Sequence, residues 1–259
     1  MVKAVLFDLD DTLILEEKAT EEAFLAAASL AYRRYGLSPE KLLKTIQGLA
    51  EDFWKTAPAY RWCQQVGISP REALWADFAD EIPEARIMQS WIPDFRRRCW
   101  QEALRKSGIE DLSLAEEMAT CYRKECRQRH RLFPEVRPVL KRLSSWPLAM
   151  VTNGLRRHQC EKINQAGLAR FFSVVVVSSD LGRGKPAPEI FRLALSALSV
   201  SPREACMVGN SWLNDISGAL KTGMKAVWVN RDGEKLPSGV KPQAIISSLK
   251  ELPELLPVL

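Results

Sequence analysis

A short apolar run that ends in acidic residues lies at the start of the chain and constrains the fold most. Residues 4–7 read Ala-Val-Leu-Phe, and Asp8 and Asp10 follow with one leucine between them. Such a run is typical of a strand buried on both faces of a parallel sheet. Ligands bind beyond the carboxyl ends of such strands, and two close carboxylates repel each other unless a cation or a proton lies between them. We therefore favour a functional site here over the alternative, an Asp-rich turn.

The composition limits the class of protein and of partner. The chain has 259 residues, of which 46% are hydrophobic and 27% charged, as in ordinary globular proteins. Acidic and basic residues balance within residues 14–133, so the net charge of +5 arises from the rest of the chain. An acidic site in a basic frame favours a small anionic substrate over nucleic acid. No run approaches the roughly 20 apolar residues that span a membrane. The first strand begins at once, so we expect no signal peptide and a cytoplasmic protein.

Helical periodicity replaces the strand pattern from about residue 16 to residue 131. Apolar residues recur three and four positions apart, and Ser-Pro pairs at Ser38 and Ser69 are typical helix starts. We predict an inserted, all-helical domain over residues 15–131, with about five helices. Two basic clusters in this stretch are expected to be solvated helix faces, namely Arg96-Arg97-Arg98 and residues 123–131, which include Arg129 and Arg131. The alternative is a rim that attracts phosphate-bearing substrates.

Strands and helices alternate in the rest of the chain. Apolar runs that predict further strands occupy residues 148–151, 173–177, 205–208, 226–229 and 244–246. This alternation implies right-handed βαβ units and a parallel sheet covered by helices. The predicted fold is therefore an α/β, Rossmann-like core built from residues 1–14 and 132–259.

Polar residues suited to phosphate chemistry follow the predicted strands. Thr152 and Asn153 follow one strand, and a hydroxyl and an amide donate hydrogen bonds to phosphate oxygens. Lys185 lies in a Gly-Lys-Pro-Ala-Pro loop, where it could place a cation beside a phosphoryl group. Asn210 and Asp215 follow another strand and carry the hard oxygen ligands that Mg²⁺ prefers. Each of these signals alone is also common in ordinary loops.

Taken together and in this order, the four elements resemble the motifs of the haloacid dehalogenase superfamily. The residues that carry the resemblance are Asp8, Asp10 and Thr12; Thr152; Lys185, Pro186 and Pro188; and Gly209, Asn210, Ser211 and Asp215. The match extends over essentially the whole chain, and the helices between the first two motifs resemble the C1-type cap of that superfamily. The resemblance therefore implies a Rossmann-like core with a helical cap.

The resemblance also implies an activity, namely a Mg²⁺-dependent phosphatase that hydrolyses a small phosphate monoester through an aspartyl-phosphate. Asp8 is then the nucleophile, and Asp10 protonates the leaving oxygen and later activates water. Thr152, Asn153 and Lys185 are then the groups that bind the phosphate. A helical cap in this superfamily closes over the site, excludes water and selects the substrate.

The metal ligands implied by the resemblance are Asp8, the backbone carbonyl of Asp10, Asn210 and Asp215. Asn210 departs from the family pattern, because an acid usually stands at that position. An amide oxygen still ligates Mg²⁺ but brings no negative charge, so we expect a weaker metal site.

Three alternatives to a phosphatase share this core. A phosphosugar mutase would return the phosphate to the sugar, so that an isomer would form in place of free phosphate. A non-catalytic protein that binds a phosphorylated ligand is favoured only by Asn210, and the presence of Asp8, Asp10 and Lys185 argues against it. Dehalogenases proper lack the second acid of the first motif, so Asp10 disfavours that reaction.

Overall fold

The computed structural model describes residues 1–239 and 241–259, which form two compact units. The sheet unit comprises Met1–Leu15 and Arg131–Leu259, and the helical unit comprises Glu16–His130. The sequence placed the first division after residue 14 and the second after residue 131. In the structure the first division falls one residue later and the second one residue earlier.

The sheet unit is built on a six-stranded parallel sheet whose strand order is β3-β2-β1-β4-β5-β6. The strands are Ala4–Phe7 (β1), Leu148–Thr152 (β2), Val174–Val177 (β3), Ala205–Gly209 (β4), Lys225–Val229 (β5) and Ala244–Ile246 (β6). All five pairings are parallel, which confirms the α/β fold with a parallel sheet. Strand β1 lies between β2 and β4, so the strand order reverses there. In open sheets this is the point at which ligands bind.

Both faces of the sheet carry a hydrophobic cluster, which explains why its strands are largely apolar. Val5 and Phe7 of β1 lie in one hydrophobic cluster, and Leu6 between them lies in the other. Successive side chains of a strand point to opposite faces, so a strand covered on both sides must be apolar at every position. All four residues of β1 are buried.

The helical unit has six helices, counted over residues 16–130, all of which the structure describes. They are Glu16–Tyr35 (α1), Pro39–Trp54 (α2), Tyr60–Val66 (α3), Pro70–Ala73 (α4), Pro83–Arg105 (α5) and Leu112–Gln128 (α6). The sequence predicted about five, because α3 is short and has no clear start signal. Both Ser-Pro starts are confirmed: the Ser38 and Ser69 hydroxyls accept hydrogen bonds from backbone N–H groups. In the part of the chain that the structure describes, every helix is too short or too polar to cross a bilayer.

The α-helices described in the sheet unit are short, and all but the first follow a strand. They are Val136–Arg142 (α7), Arg156–Gln165 (α8), Pro188–Ala197 (α9), Gly218–Lys221 (α10) and Leu252–Leu255 (α11). The sequence pattern predicts an α-helix from about Leu213 to Leu220. This prediction is wrong in its first part, because Trp212–Ser217 form a π-helical segment and α10 begins only at Gly218. The N–H of Ile216 reaches back five residues to the carbonyl of Ser211 (3.2 Å), which makes this turn wide.

Candidate active site

The loop after β1 is held so that Asp8 remains at the edge of the sheet. The Asp8 N–H donates to the carbonyl of Val208 in β4 (3.0 Å), so Asp8 extends the pairing of the two strands. The N–H of Leu13 returns to the carbonyl of Leu9 (2.9 Å) and closes the loop. Inside this loop the buried Thr12 hydroxyl lies 2.8 Å from Oδ2 of Asp8. The first carboxylate is therefore fixed by both backbone and side-chain contacts.

One ammonium lies between two carboxylates beyond the ends of β1 and β4. Lys185 Nζ donates to Oδ1 of Asp8 (2.6 Å) and to Oδ1 of Asp215 (2.7 Å). Asp8 follows β1, Lys185 lies in the loop before α9, and Asp215 lies on the π-helical segment after β4. The three residues are 6%, 6% and 1% exposed. Groups separated by up to 207 residues of sequence thus form one buried cluster with an excess of negative charge.

Burial controls the protonation of this cluster. Removal from water raises the pKa of Asp8 to about 7, with a further contribution from the Asp215 charge, although the Lys185 ammonium acts in the opposite direction. Burial also disfavours the ammonium of Lys185, but the carboxylates of Asp215 and Asp8 outweigh that effect and raise its pKa. Lys185 therefore remains charged. An additional cation would stabilise the ionised forms of the two carboxylates around it.

A set of oxygen atoms suited to such a cation lies beside Asp8. The Asn210 N–H donates to the Thr12 hydroxyl oxygen (3.0 Å), and Oδ1 of Asn210 lies 3.1 Å from the same oxygen. Because that hydroxyl has one hydrogen, it donates to either Asn210 or Asp8 at a given moment. The Trp228 indole N–H binds the Asn210 carbonyl (2.8 Å) and holds the residue in place. The amide oxygen and the Asp8 carboxylate therefore flank one hydroxyl.

These donors fit Mg²⁺ better than a transition metal. No group of three or more His, Cys, Asp or Glu side chains that could hold a metal ion occurs in residues 1–239 and 241–259. Mg²⁺ does not require one, since it binds through one or two carboxylates, other oxygens and water. Asp8, the carbonyl of Asp10 and Asn210 offer such oxygens. Asp215 is less available to a metal ion, because its Oδ2 accepts the Ser211 N–H (2.9 Å) while its Oδ1 contacts Lys185.

The side chain of Asn153 holds the Lys185 loop. Its Nδ2 donates to the carbonyl of Lys185 (3.0 Å), and its Oδ1 accepts the N–H of the same residue (2.8 Å). A Cβ at Gly184 would come within 2.5 Å of Asn153 Oδ1, so only glycine fits beside this contact. Both polar ends of the amide are therefore engaged by the backbone of Lys185.

Two residues that the sequence analysis missed bind Asp10. Its Oδ1 accepts a hydrogen bond from Lys162 Nζ (2.9 Å), and its Oδ2 accepts one from Gln159 Nε2 (2.9 Å). Gln159 Nε2 also donates to the hydroxyl of Thr152 (2.6 Å). Gln159 and Lys162 lie on α8 and are 0% and 2% exposed. The available signal was their spacing: both lie on the helix face that carries the buried Ile163.

Comparison with known proteins adds three relatives and a family. A family model of haloacid dehalogenase-like hydrolases matches residues 2–223. The chain is 36% identical over 253 residues to phosphoserine phosphatase of Thermus thermophilus, covering 97% of this chain and 98% of the relative. It is 31% identical over 260 residues to N-acylneuraminate-9-phosphatase of Homo sapiens, covering 98% and 94%. A solved 2-haloacid dehalogenase of Pseudomonas syringae is similar with a TM-score of 0.63, at 27% identity and with 100% and 99% coverage.

Proposed function

Since the chain belongs to the haloacid dehalogenase-like hydrolase family, we propose that this hydrolase is a Mg²⁺-dependent phosphatase acting on a small phosphorylated metabolite. The observation that carries the proposal is the second acid, Asp10, which lies beside Asp8 and is bound by two residues of α8. A halide leaves carbon as a stable anion and needs no proton, whereas an alkoxide leaving phosphorus does need one. A general acid such as Asp10 is therefore needed for phosphoryl transfer but not for dehalogenation.

The reaction proceeds in two steps. A carboxylate oxygen of Asp8 attacks phosphorus, the bond from phosphorus to the ester oxygen breaks, and Asp10 gives its proton to the departing oxygen. Asp10 then accepts a proton from water as the water oxygen attacks the aspartyl-phosphate. Inorganic phosphate leaves, and Asp8 returns to its carboxylate form. Each proton that Asp10 loses in the first step is thus recovered in the second.

The phosphate oxygens are bound by groups that keep an unused donor. Lys185 has three ammonium hydrogens and uses two for Asp8 and Asp215, so one remains for a phosphate oxygen. The Thr152 hydroxyl accepts from Gln159, and its own hydrogen makes only a long contact with the Asn153 carbonyl (3.4 Å), which a phosphate oxygen would replace. Because the side chain of Asn153 is engaged by the Lys185 backbone, its predicted contact with phosphate would come from its own N–H.

Mg²⁺ would be held by Asp8, the carbonyl of Asp10 and Asn210, with Asp215 as a further ligand if it releases Lys185 or Ser211. When bound, the ion supplies positive charge that lets an anionic nucleophile approach an anionic phosphate. The excess of carboxylate over ammonium in the buried cluster supports this assignment. The helical unit would act as the cap that selects the substrate.

Phosphate release from defined esters tests the proposal. The 36% identity with a phosphoserine phosphatase makes O-phosphoserine the first substrate to try, followed by an N-acylneuraminate 9-phosphate and p-nitrophenyl phosphate. We expect release that requires Mg²⁺, stops with a chelator and is absent from Asp8→Asn. Phosphate release by Asp8→Asn at the wild-type rate would refute the assignment of Asp8 as the nucleophile. Chloride release from 2-chloropropionate without phosphate release would indicate a dehalogenase instead.

A further inference from the structure

We propose that Gln159 and Lys162 are positioning residues that hold the Asp10 carboxyl in line with the leaving oxygen of the substrate. This inference deepens the proposed phosphatase function and rests on it. The two side chains come from consecutive turns of α8, and each binds a different oxygen of the same carboxyl group. A carboxyl group held at both oxygens cannot rotate about its terminal bond without losing a hydrogen bond.

The burial of Lys162 indicates that this contact matters. A lysine side chain that is 2% exposed is costly unless its ammonium is paired, and Asp10 provides a carboxylate at 2.9 Å. The Asp10 side chain is itself 31% exposed. One side of the carboxyl group is therefore anchored in the protein, while the other remains accessible to a ligand or to water.

Gln159 connects the general acid to the phosphate-binding hydroxyl. Its Nε2 has two hydrogens, one directed to Asp10 and the other to Thr152, so both donors are used. A single amide nitrogen thus sets the spacing between Asp10, which protonates the leaving oxygen, and Thr152, which binds a phosphate oxygen. That spacing matters because proton transfer requires the donor within hydrogen-bond distance of the leaving atom.

The other end of the Gln159 amide supports a functional rather than a purely structural role. Its Oε1 is buried and has no hydrogen-bond partner within residues 1–239 and 241–259. A buried acceptor without a partner destabilises the fold. Turning the amide over would not help, because Oε1 would then face the acceptor oxygens of Asp10. The observed orientation therefore leaves one acceptor without a partner, but it directs both N–H groups of the amide into the site.

The leaving-group dependence of the reaction separates positioning from structural support. Phenyl phosphate has a basic leaving group that needs a proton, whereas p-nitrophenolate leaves readily without one. We expect Gln159→Met and Lys162→Met to lower kcat for phenyl phosphate by at least about tenfold, part of the 10²–10⁴ that a general acid contributes. The initial burst of p-nitrophenolate, which reports only the first step, should change by less than about threefold, and KM should change little for both esters.

Gln165→Met provides a matched control, because it makes the same substitution on an exposed residue of the same helix. It should leave the rates for both esters unchanged. Thermal unfolding of each variant checks its fold, and Gln159→Met serves alone if Lys162→Met does not fold. An equal loss in kcat for phenyl phosphate and in the burst rate for p-nitrophenyl phosphate, or no loss in either, overturns the positioning role while the phosphatase stands. Absence of phosphate release from the wild-type protein overturns both.

Discussion

The two units bury positive charge with different partners. In the helical unit, Arg96 is 7% exposed and donates hydrogen bonds to the backbone carbonyls of Ala73 (2.9 Å) and Ala76. The prediction of a solvated helix face is therefore wrong for this member of its basic cluster. In the sheet unit, Lys162 and Lys185 are equally buried, but their partners are carboxylates. A backbone carbonyl only satisfies the cation. A carboxylate retains charge and lone pairs with which it can act on a ligand.

The pKa values follow the same division. Burial, with a contribution from the nearby Arg123, lowers the pKa of Arg96 to about 9, although Asp77 acts in the opposite direction. The pKa of Lys185 is raised, because two carboxylates outweigh its burial. The comparison teaches that burial of a charge does not identify a functional site. The chemistry of its partner does.

Removing the nucleophile should break this comparison most clearly. If Asp8 is the nucleophile that we propose, Asp8→Asn should lower phosphate release by about 10³-fold or more, as loss of a nucleophile does in other enzymes. Its unfolding temperature should not fall, because burial and the Asp215 charge already disfavour the ionised form of Asp8, whose pKa is raised to about 7. Phosphate release measures the expected loss of activity, and thermal unfolding measures the expected retention of stability. Retained turnover, or a large loss of stability, would contradict a functional rather than structural role for Asp8.

Arg96 should show the opposite pattern. Arg96→Met leaves two buried carbonyls without their donor, so we expect the free energy of unfolding to fall by about 2 kcal/mol. The matched control is Arg97→Met, because Arg97 is exposed and pairs with the equally exposed Asp94. Arg97→Met should lower the free energy of unfolding by only about 0–1 kcal/mol. Urea unfolding measures both, and equal values would show that the carbonyl contacts add nothing.

Asn210 allows the charge of the sheet unit to be adjusted. Asn210→Asp adds a carboxylate to the oxygen atoms around Asp8, so we expect Mg²⁺ to bind about tenfold more tightly, which corresponds to about 1.4 kcal/mol. Calorimetric titration with Mg²⁺ measures this affinity directly and does not depend on activity. Unchanged affinity would place Asn210 outside the metal site.

The smallest effect is expected at Arg129, which lies in the basic cluster of the helical unit. Its guanidinium pairs with Glu125 and with Glu22 (3.1 Å) near the surface, so its charge is already compensated. Arg129→Gln should change the free energy of unfolding by about 0–1 kcal/mol and leave KM for every phosphate ester unchanged. A KM that rises for all esters would instead favour the alternative of a basic rim that attracts them.

Much of the fold could be predicted because its signals are local. A strand covered on both faces must be apolar at every position, so β1, β2 and β4 are recognisable from single runs. The placement of Asp8 and Asn210 at the same edge of the sheet follows as well, because the carboxyl ends of parallel strands lie at one edge. That β1 and β4 are neighbours was known only from the structure. Helix α3 and the π-helical turn at Trp212–Ser217 were not predicted, since their geometry depends on packing more than on sequence pattern.

The parallel sheet and the residues that follow its strands can be predicted from the sequence, because both depend on contiguous runs of a few residues. The side chains that complete the site are brought together only by packing. Asn153 and Lys185 are 32 residues apart, and their loops must meet before the amide can hold the lysine backbone. Gln159 and Lys162 occupy positions on α8 that any core-facing residue could hold. Their role arises because packing of that helix on the sheet directs them to Asp10, which is 149 or more residues away in the sequence.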